Sequence, residues 1–171
     1  MAAAGHDRAS RPKGTAVSSA APRALTRENL ATLEALGEAL LPGSARDGIA
    51  RYVDYQLSVP LQESLLMIRY LGVRPPFTEF YRTGLVSLEA AANRQFGRRF
   101  DVLSRGESQA LVTQMAGGTL TAWSGPPSAL FYFVLRNDAI DVVYGTQAGF
   151  QRLAVPYMAH IVPSTPWGEG G

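Results

Sequence analysis

Two histidines and no cysteine bound the chemistry open to this 171-residue chain. Without thiols there are no disulfides, thiolate metal sites, iron–sulfur clusters, covalently attached haem or cysteine nucleophile. The redox compartment stays open, because a thiol-free protein works in either. His6 falls in an Ala/Ser-rich leader, and His160 in Pro156-Tyr157-Met158-Ala159-His160-Ile161. The ordinary reading of His160 is a hydrogen-bonded histidine at an interface or core edge. The sharper reading places it at a partner's active-site entrance or electron-transfer surface. One histidine cannot complete a zinc or haem site unless a partner supplies ligands. No nucleophile elbow, phosphate loop or dinucleotide-binding glycine fingerprint occurs. Asp138 and Asp141 share a helical face at a spacing of three, as an acid/base pair would; the solvated stripe of an otherwise apolar helix is the preferred reading. Arg136 serves a structural salt bridge or a partner's carboxylate. No catalytic, cofactor-binding or metal residue is assigned to this chain.

What remains is a surplus of large side chains near the C-terminus. From Ser128 to Trp167 the chain holds Phe131, Tyr132, Phe133, Tyr144, Phe150, Tyr157 and Trp167, cut by Pro156, Pro163 and Pro166. The run from Leu130 to Leu135 is apolar on every side, so a helix there is buried all round or rests on something outside its own domain. Phe131, Phe133 and Phe150 read first as core. Trp123, Tyr132, Tyr144, Tyr157 and Trp167 read as interface, because each joins large apolar area to a polar handle. The candidate partner surface is therefore Trp123, Tyr132, Arg136, Tyr144, Phe150, Tyr157, His160 and Trp167.

Charge argues against nucleic acid. The net charge is +2, but residues 1–24 carry four basic groups and one acidic, leaving 12 basic and 13 acidic groups on the rest. A near-neutral body offers phosphate no positive face and tends to associate with other proteins. No apolar run approaches the ~20 residues that span a bilayer, so no direct membrane span is expected. Residues 1–24, rich in Ala, Ser, Gly and Pro, read as a disordered tail or tether, and 25–171 as a single domain. The tail lacks the unbroken apolar stretch of a secretory signal. A cytoplasmic chain is expected, with periplasmic placement by co-export as the alternative.

The elements that position these residues follow from helical spacing. Thr26 caps a first helix bearing Leu30, Leu33, Leu36, Gly37, Leu40 and Leu41, stopped by Pro42-Gly43. A second helix runs from about Gly48 to Leu57. A third starts at Pro60 and buries Leu61, Leu65, Ile68 and Leu71. A fourth, about Thr78 to Phe96, carries the stripe Phe80, Tyr81, Gly84, Leu85, Leu88, Ala91, Ala92 and Phe96. Ser104 and Glu107 form a capping box for a fifth that ends near Met115. A loop over 119–127 delivers Trp123 to a sixth, capped by Ser128 and closed by a left-handed Gly145. With no period-2 strand and no repeat, the expectation is all-α: a compact bundle of about six helices packed around residues 130–143, with an irregular Pro-rich C-terminal segment.

The order of these motifs resembles a known family. Leu40-Leu41-Pro42 is followed by Gly48-Ile49-Ala50-Arg51-Tyr52-Val53-Asp54-Tyr55-Gln56-Leu57. Phe80-Tyr81-Arg82-Thr83-Gly84-Leu85 leads through Ala90-Ala91-Ala92 to Phe96-Gly97 and Phe100-Asp101-Val102-Leu103-Ser104. Phe133-Val134-Leu135-Arg136 and Tyr144-Gly145 come last. Over about residues 26–167 this is similar to gluconate 2-dehydrogenase subunit 3, the small subunit of FAD-dependent sugar and polyol dehydrogenases. The resemblance implies a non-catalytic partner needed for folding, stability and assembly of a large flavoprotein. That flavoprotein, of the glucose–methanol–choline (GMC) type, binds FAD and oxidises the sugar or glucoside; a c-type cytochrome with haem is a further subunit in many such complexes. Many small subunits carry a twin-arginine export signal. The adjacent pair here, Arg98-Arg99, lies mid-chain. The alternatives are a subunit that lends residues to a shared active site or electron-transfer interface, and a stand-alone helical protein-binding module.

Overall fold

A computed structural model describes residues 21–156. Among them are seven α-helices and no strand: α1 Arg27–Leu40, α2 Ser44–Asp47, α3 Ile49–Ser58, α4 Phe77–Phe96, α5 Arg105–Ala116, α6 Ser128–Tyr144 and α7 Gln147–Arg152. The all-helical expectation holds, and the number of substantial helices is close to that read from spacing.

Local signals explain most boundaries. Thr26 accepts the Asn29 N–H at 3.1 Å at the start of α1. Ser104 and Glu107 cap α5 reciprocally, and Gly97 closes α4 with a left-handed φ of 67°. Two ends depart from expectation. Pro127 takes the cap position of α6, and Ser128 is its buried first residue. Gly145 ends that helix at φ −73°, outside the left-handed region.

The third expected helix is absent. Residues 60–71 form a coil with one 3-10 turn, Met67–Tyr70. The cause lies in where the backbone donors go: the Leu65 N–H reaches Gln56 Oε1 at 2.7 Å and the Met67 N–H reaches Asp138 Oδ1 at 3.1 Å. Side chains of other helices take the donors that i−4 carbonyls would need. Leu66 and Ile68 turn inward, while Leu61, Leu65 and Leu71, expected in the core, are exposed.

The core forms around α6, which packs against each of the other six helices and the 67–70 turn. It contributes Phe131, Val134, Leu135, Ala139 and Val142; α1 contributes Leu33 and Leu36, and α4 Tyr81, Leu85 and Leu88. Phe131 lies over Gly84, where any β-carbon would overlap its ring. A small residue at 84 lets α4 and α6 approach closely.

Carboxylates hold the connections. Asp54 on α3 accepts three backbone N–H groups, from Arg23, Ala24 and Leu25, at 2.8–2.9 Å. Arg23 and Ala24, at the end of the expected tail, are thus fastened to the body. Glu89 accepts the Thr32 hydroxyl at 2.6 Å and the Phe100 N–H at 3.1 Å.

Candidate partner-binding face

α6 is apolar on both sides. Its inward face buries Phe131, Val134, Leu135, Asp138, Ala139, Val142 and Val143. Phe133, Arg136, Ile140 and Tyr144 fall three or four residues apart and so share the opposite side. Phe133 is 45% exposed, Arg136 exposed, and Ile140 and Tyr144 half-buried. An outward stripe holding a phenylalanine, an isoleucine and a tyrosine around one cation is unlike a solvated helix face. It is like a surface that another protein covers.

The coil before α4 adjoins this helix. The Met67 N–H bond to Asp138 sets the 3-10 turn against the side of α6 that also carries Asn137 and Asp141, beside the Phe133 stripe. From the turn and the coil just before it Tyr70 (65%) and Leu65 (56%) project outward, whereas Leu66 and Ile68 are fully buried. The Tyr52 hydroxyl donates to the Leu65 carbonyl at 3.4 Å.

Asp138 contradicts the expectation of a solvated aspartate. It is fully buried, and it accepts the Tyr81 hydroxyl at 2.6 Å and the Met67 N–H. Burial drives its pKa up to about 7, against the pull of its two hydrogen bonds, and Asp141 adds to the rise. Burial and then the neighbouring Asp138 raise the Tyr81 hydroxyl well above its ordinary range. Tyr52 is raised in the same way, by burial first and then by Asp138, Asp141 and Tyr70. Asp141, on the exposed side, is raised by partial burial. The four groups form a polar seam where α3, α4, α6 and the 67–70 turn meet.

The expected interface residues separate. Arg136 and Tyr144 lie on the outward stripe, with Tyr132 half-buried at its flank. Trp123 does not join them: it is half-buried, its indole N–H donates to the Pro126 carbonyl, and its ring sits 5.7 Å from Phe131. With Phe80, 5.7 Å from the same ring, it finishes an aromatic group on the core side. Phe150 is half-buried on α7. Tyr157, His160 and Trp167 lie outside the described residues. Residues the spacing did not single out as surface are Phe133, read as core, and Leu65 and Leu71, read as a buried helical stripe. Arg136, directly after the apolar run and three residues from Phe133, was the one signal that this side of α6 faces outward.

A cleft of about 370 Å³ lies between α1 and α5, lined by Glu38, Phe100, Asp101, Arg105 and Gln109 among others. Asp101 is already paired with Arg99, and Gln109 donates to the Ala39 carbonyl. Among the described residues no three His, Asp or Glu side chains cluster as metal ligands. No described helix is long and apolar enough to cross a membrane.

No curated protein and no solved structure matches this chain. The family model of gluconate 2-dehydrogenase subunit 3 matches residues 27–162. That span starts at the first residue of α1 and takes in every element that builds the α6 face. The chain belongs to the gluconate 2-dehydrogenase subunit 3 family.

Proposed function

We propose that the chain is the non-catalytic small subunit of an FAD-dependent dehydrogenase complex that oxidises CH–OH groups of sugars or glucosides. Its partner is a large flavoprotein of the GMC type, which holds the FAD and the substrate; a c-type cytochrome with haem takes the electrons onward. The small subunit acts physically. It covers apolar surface on the flavoprotein through α6 and the chain beyond it, and so keeps the large subunit folded and dispersed. Assembly takes place in the cytoplasm, and any periplasmic placement follows by co-export with the partner.

The observation that carries this reading is the outward stripe of α6, with Phe133 45% exposed beside Ile140 and Tyr144. Membership of a family named for a dehydrogenase subunit supports reading that stripe as a contact with another subunit. An obligate interface of this kind buries more than ~2,000 Å² in total. The test is expression of the flavoprotein partner with and without this chain, reading soluble yield, flavin absorbance and sugar-dependent dye reduction. All three should fall without the chain. A flavoprotein equally soluble, FAD-loaded and active alone would refute the reading.

A further inference from the structure

We propose that residues 64–71 form the second half of the docking face, and that they receive a part of the flavoprotein surface where an apolar patch borders an exposed carboxylate. This rests on the function proposed above, and it names the chemistry of the partner's contact.

Three observations carry it. First, the segment is held in place without being α-helical. Gln56 holds the Leu65 N–H, Asp138 holds the Met67 N–H, and Tyr52 holds the Leu65 carbonyl. Leu66 and Ile68 are anchored in the core, so Leu65 and Tyr70 are presented outward from a fixed backbone. A fixed loop loses little conformational freedom on binding, which favours affinity.

Second, the anchor places this loop against α6. Asp138 faces inward, and Asn137 and Asp141 lie on α6 between it and the Phe133 stripe, so the loop sits at the flank of that stripe.

Third, Arg69 is set up to receive an anion. Its Nη1 donates to the Ser64 carbonyl at 2.9 Å, and its guanidinium sits 5.5 Å from the Tyr70 ring centroid. No carboxylate among the described residues pairs with it, nor with Arg136 or Arg74. A guanidinium held by a carbonyl and a tyrosine ring keeps donors free in a fork that matches a carboxylate. Tyrosine and arginine together are the side chains that dominate protein interfaces.

The chain has no cysteine, so Tyr70→Cys creates a single thiol. Its maleimide reaction is compared in the free chain and in the co-expressed flavoprotein complex, with Val102→Cys as control. Val102 is 59% exposed on a 3-10 turn that packs on α1 and α4. In the complex the thiol at 70 should react about tenfold more slowly, and the control at its free rate; Arg69→Glu should weaken assembly about tenfold and Arg69→Lys less, with helical content unchanged by circular dichroism. An intact complex with an unprotected thiol at 70 overturns the docking proposal and leaves the functional one standing. A wild-type chain that forms no complex overturns both. Protection that grows with the concentration of the free chain, or that disappears on truncation after Pro156, assigns the loop to a second copy or to the chain's own end and overturns it too.

Discussion

The Tyr81 hydroxyl donates to Asp138 Oδ2 across 2.6 Å in the interior, where both residues are fully buried. The pair joins α4 to α6, and the second oxygen of Asp138 joins α6 to the 67–70 turn. A buried carboxylate with no cation beside it is destabilised in its charged form. Folding therefore favours its protonated form, and its pKa rises to about 7.

The sign of the pH effect follows. In the unfolded chain Asp138 ionises near the ordinary 3.8, while in the folded chain it keeps its proton to about 7. Between those values the native state binds the extra proton, so this group's contribution to stability falls as pH rises and then levels off. Asp47 and Glu107, held below the usual carboxylate range, act on the acid side and lose their contribution only below about pH 4. For Asp47 burial pushes upward, and the hydrogen bonds and charges of Arg152 and Arg46 together outweigh it. The urea midpoint of the isolated chain should be higher at pH 5 than at pH 8. Asp138→Asn keeps an acceptor for the Met67 N–H and removes the titration, so its midpoints at the two pH values should converge. A wild-type midpoint that is flat or rises over this range would show that Asp138 titrates normally.

Asp54 makes a different prediction, about the edge of the domain. Three backbone donors converge on its carboxylate, and Leu25, beside them, is 6% exposed. Asp54→Ala leaves those donors without a partner at a half-buried site, a loss of about 2–4 kcal/mol. Asp54→Asn retains one acceptor oxygen and should cost about half as much. Tryptic cleavage after Arg23 and Arg27 reads the same event locally. It should accelerate in both variants, more in the alanine one, before the global transition is reached.

Gly84 tests the packing of α4 on α6. In a solvated helix, replacing glycine with alanine gains about 1 kcal/mol from backbone propensity. Here Phe131 occupies the space a methyl group would need, and Phe80 and Trp123 hold that ring from two sides with centroids 5.7 Å away. Overpacking costs about 1–3 kcal/mol and outweighs the gain. Gly84→Ala should lower Tm, whereas Phe131→Leu combined with it should cost less than the two changes summed.

These residues also show which parts of the structure are written locally. The starts of α1 and α5 depend on Thr26, Ser104 and Glu107, whose partners lie three residues away, and spacing alone finds them. The stripe of α4 follows for the same reason, because Tyr81, Leu85 and Leu88 repeat at helical intervals. Residues 60–71 carry equally good helical spacing, yet the Met67 N–H is taken by a carboxylate 71 positions later. No local pattern reports such a partner. Asp138 misled for the same reason, since its spacing to Asp141 looks like a polar stripe until Tyr81 and the 67–70 turn close over one of the two. The apolar excess of α6 was legible; which of Phe131 and Phe133 faces the core was not, because the two are adjacent in type and differ only in what the rest of the fold places against them.

Phe133 is therefore the residue on which the partner-face argument turns. It is 45% exposed, and its backbone carbonyl accepts the Asn137 side-chain amide at 2.7 Å. Phe133→Ser should change stability by no more than about 0.5 kcal/mol, as for surface sites away from special features. Leu135→Ala, two residues on but fully buried, should cost about 2–5 kcal/mol. If the outward stripe meets the flavoprotein, the order reverses for assembly. Phe133→Ser should abolish recovery of the co-expressed complex while the free variant stays folded and less prone to self-association in light scattering. Leu135→Ala should lower Tm yet still yield complex below its transition, since binding stabilises the native state by mass action. A Phe133→Ser chain that assembles as well as wild type would mean that the exposed ring has no partner.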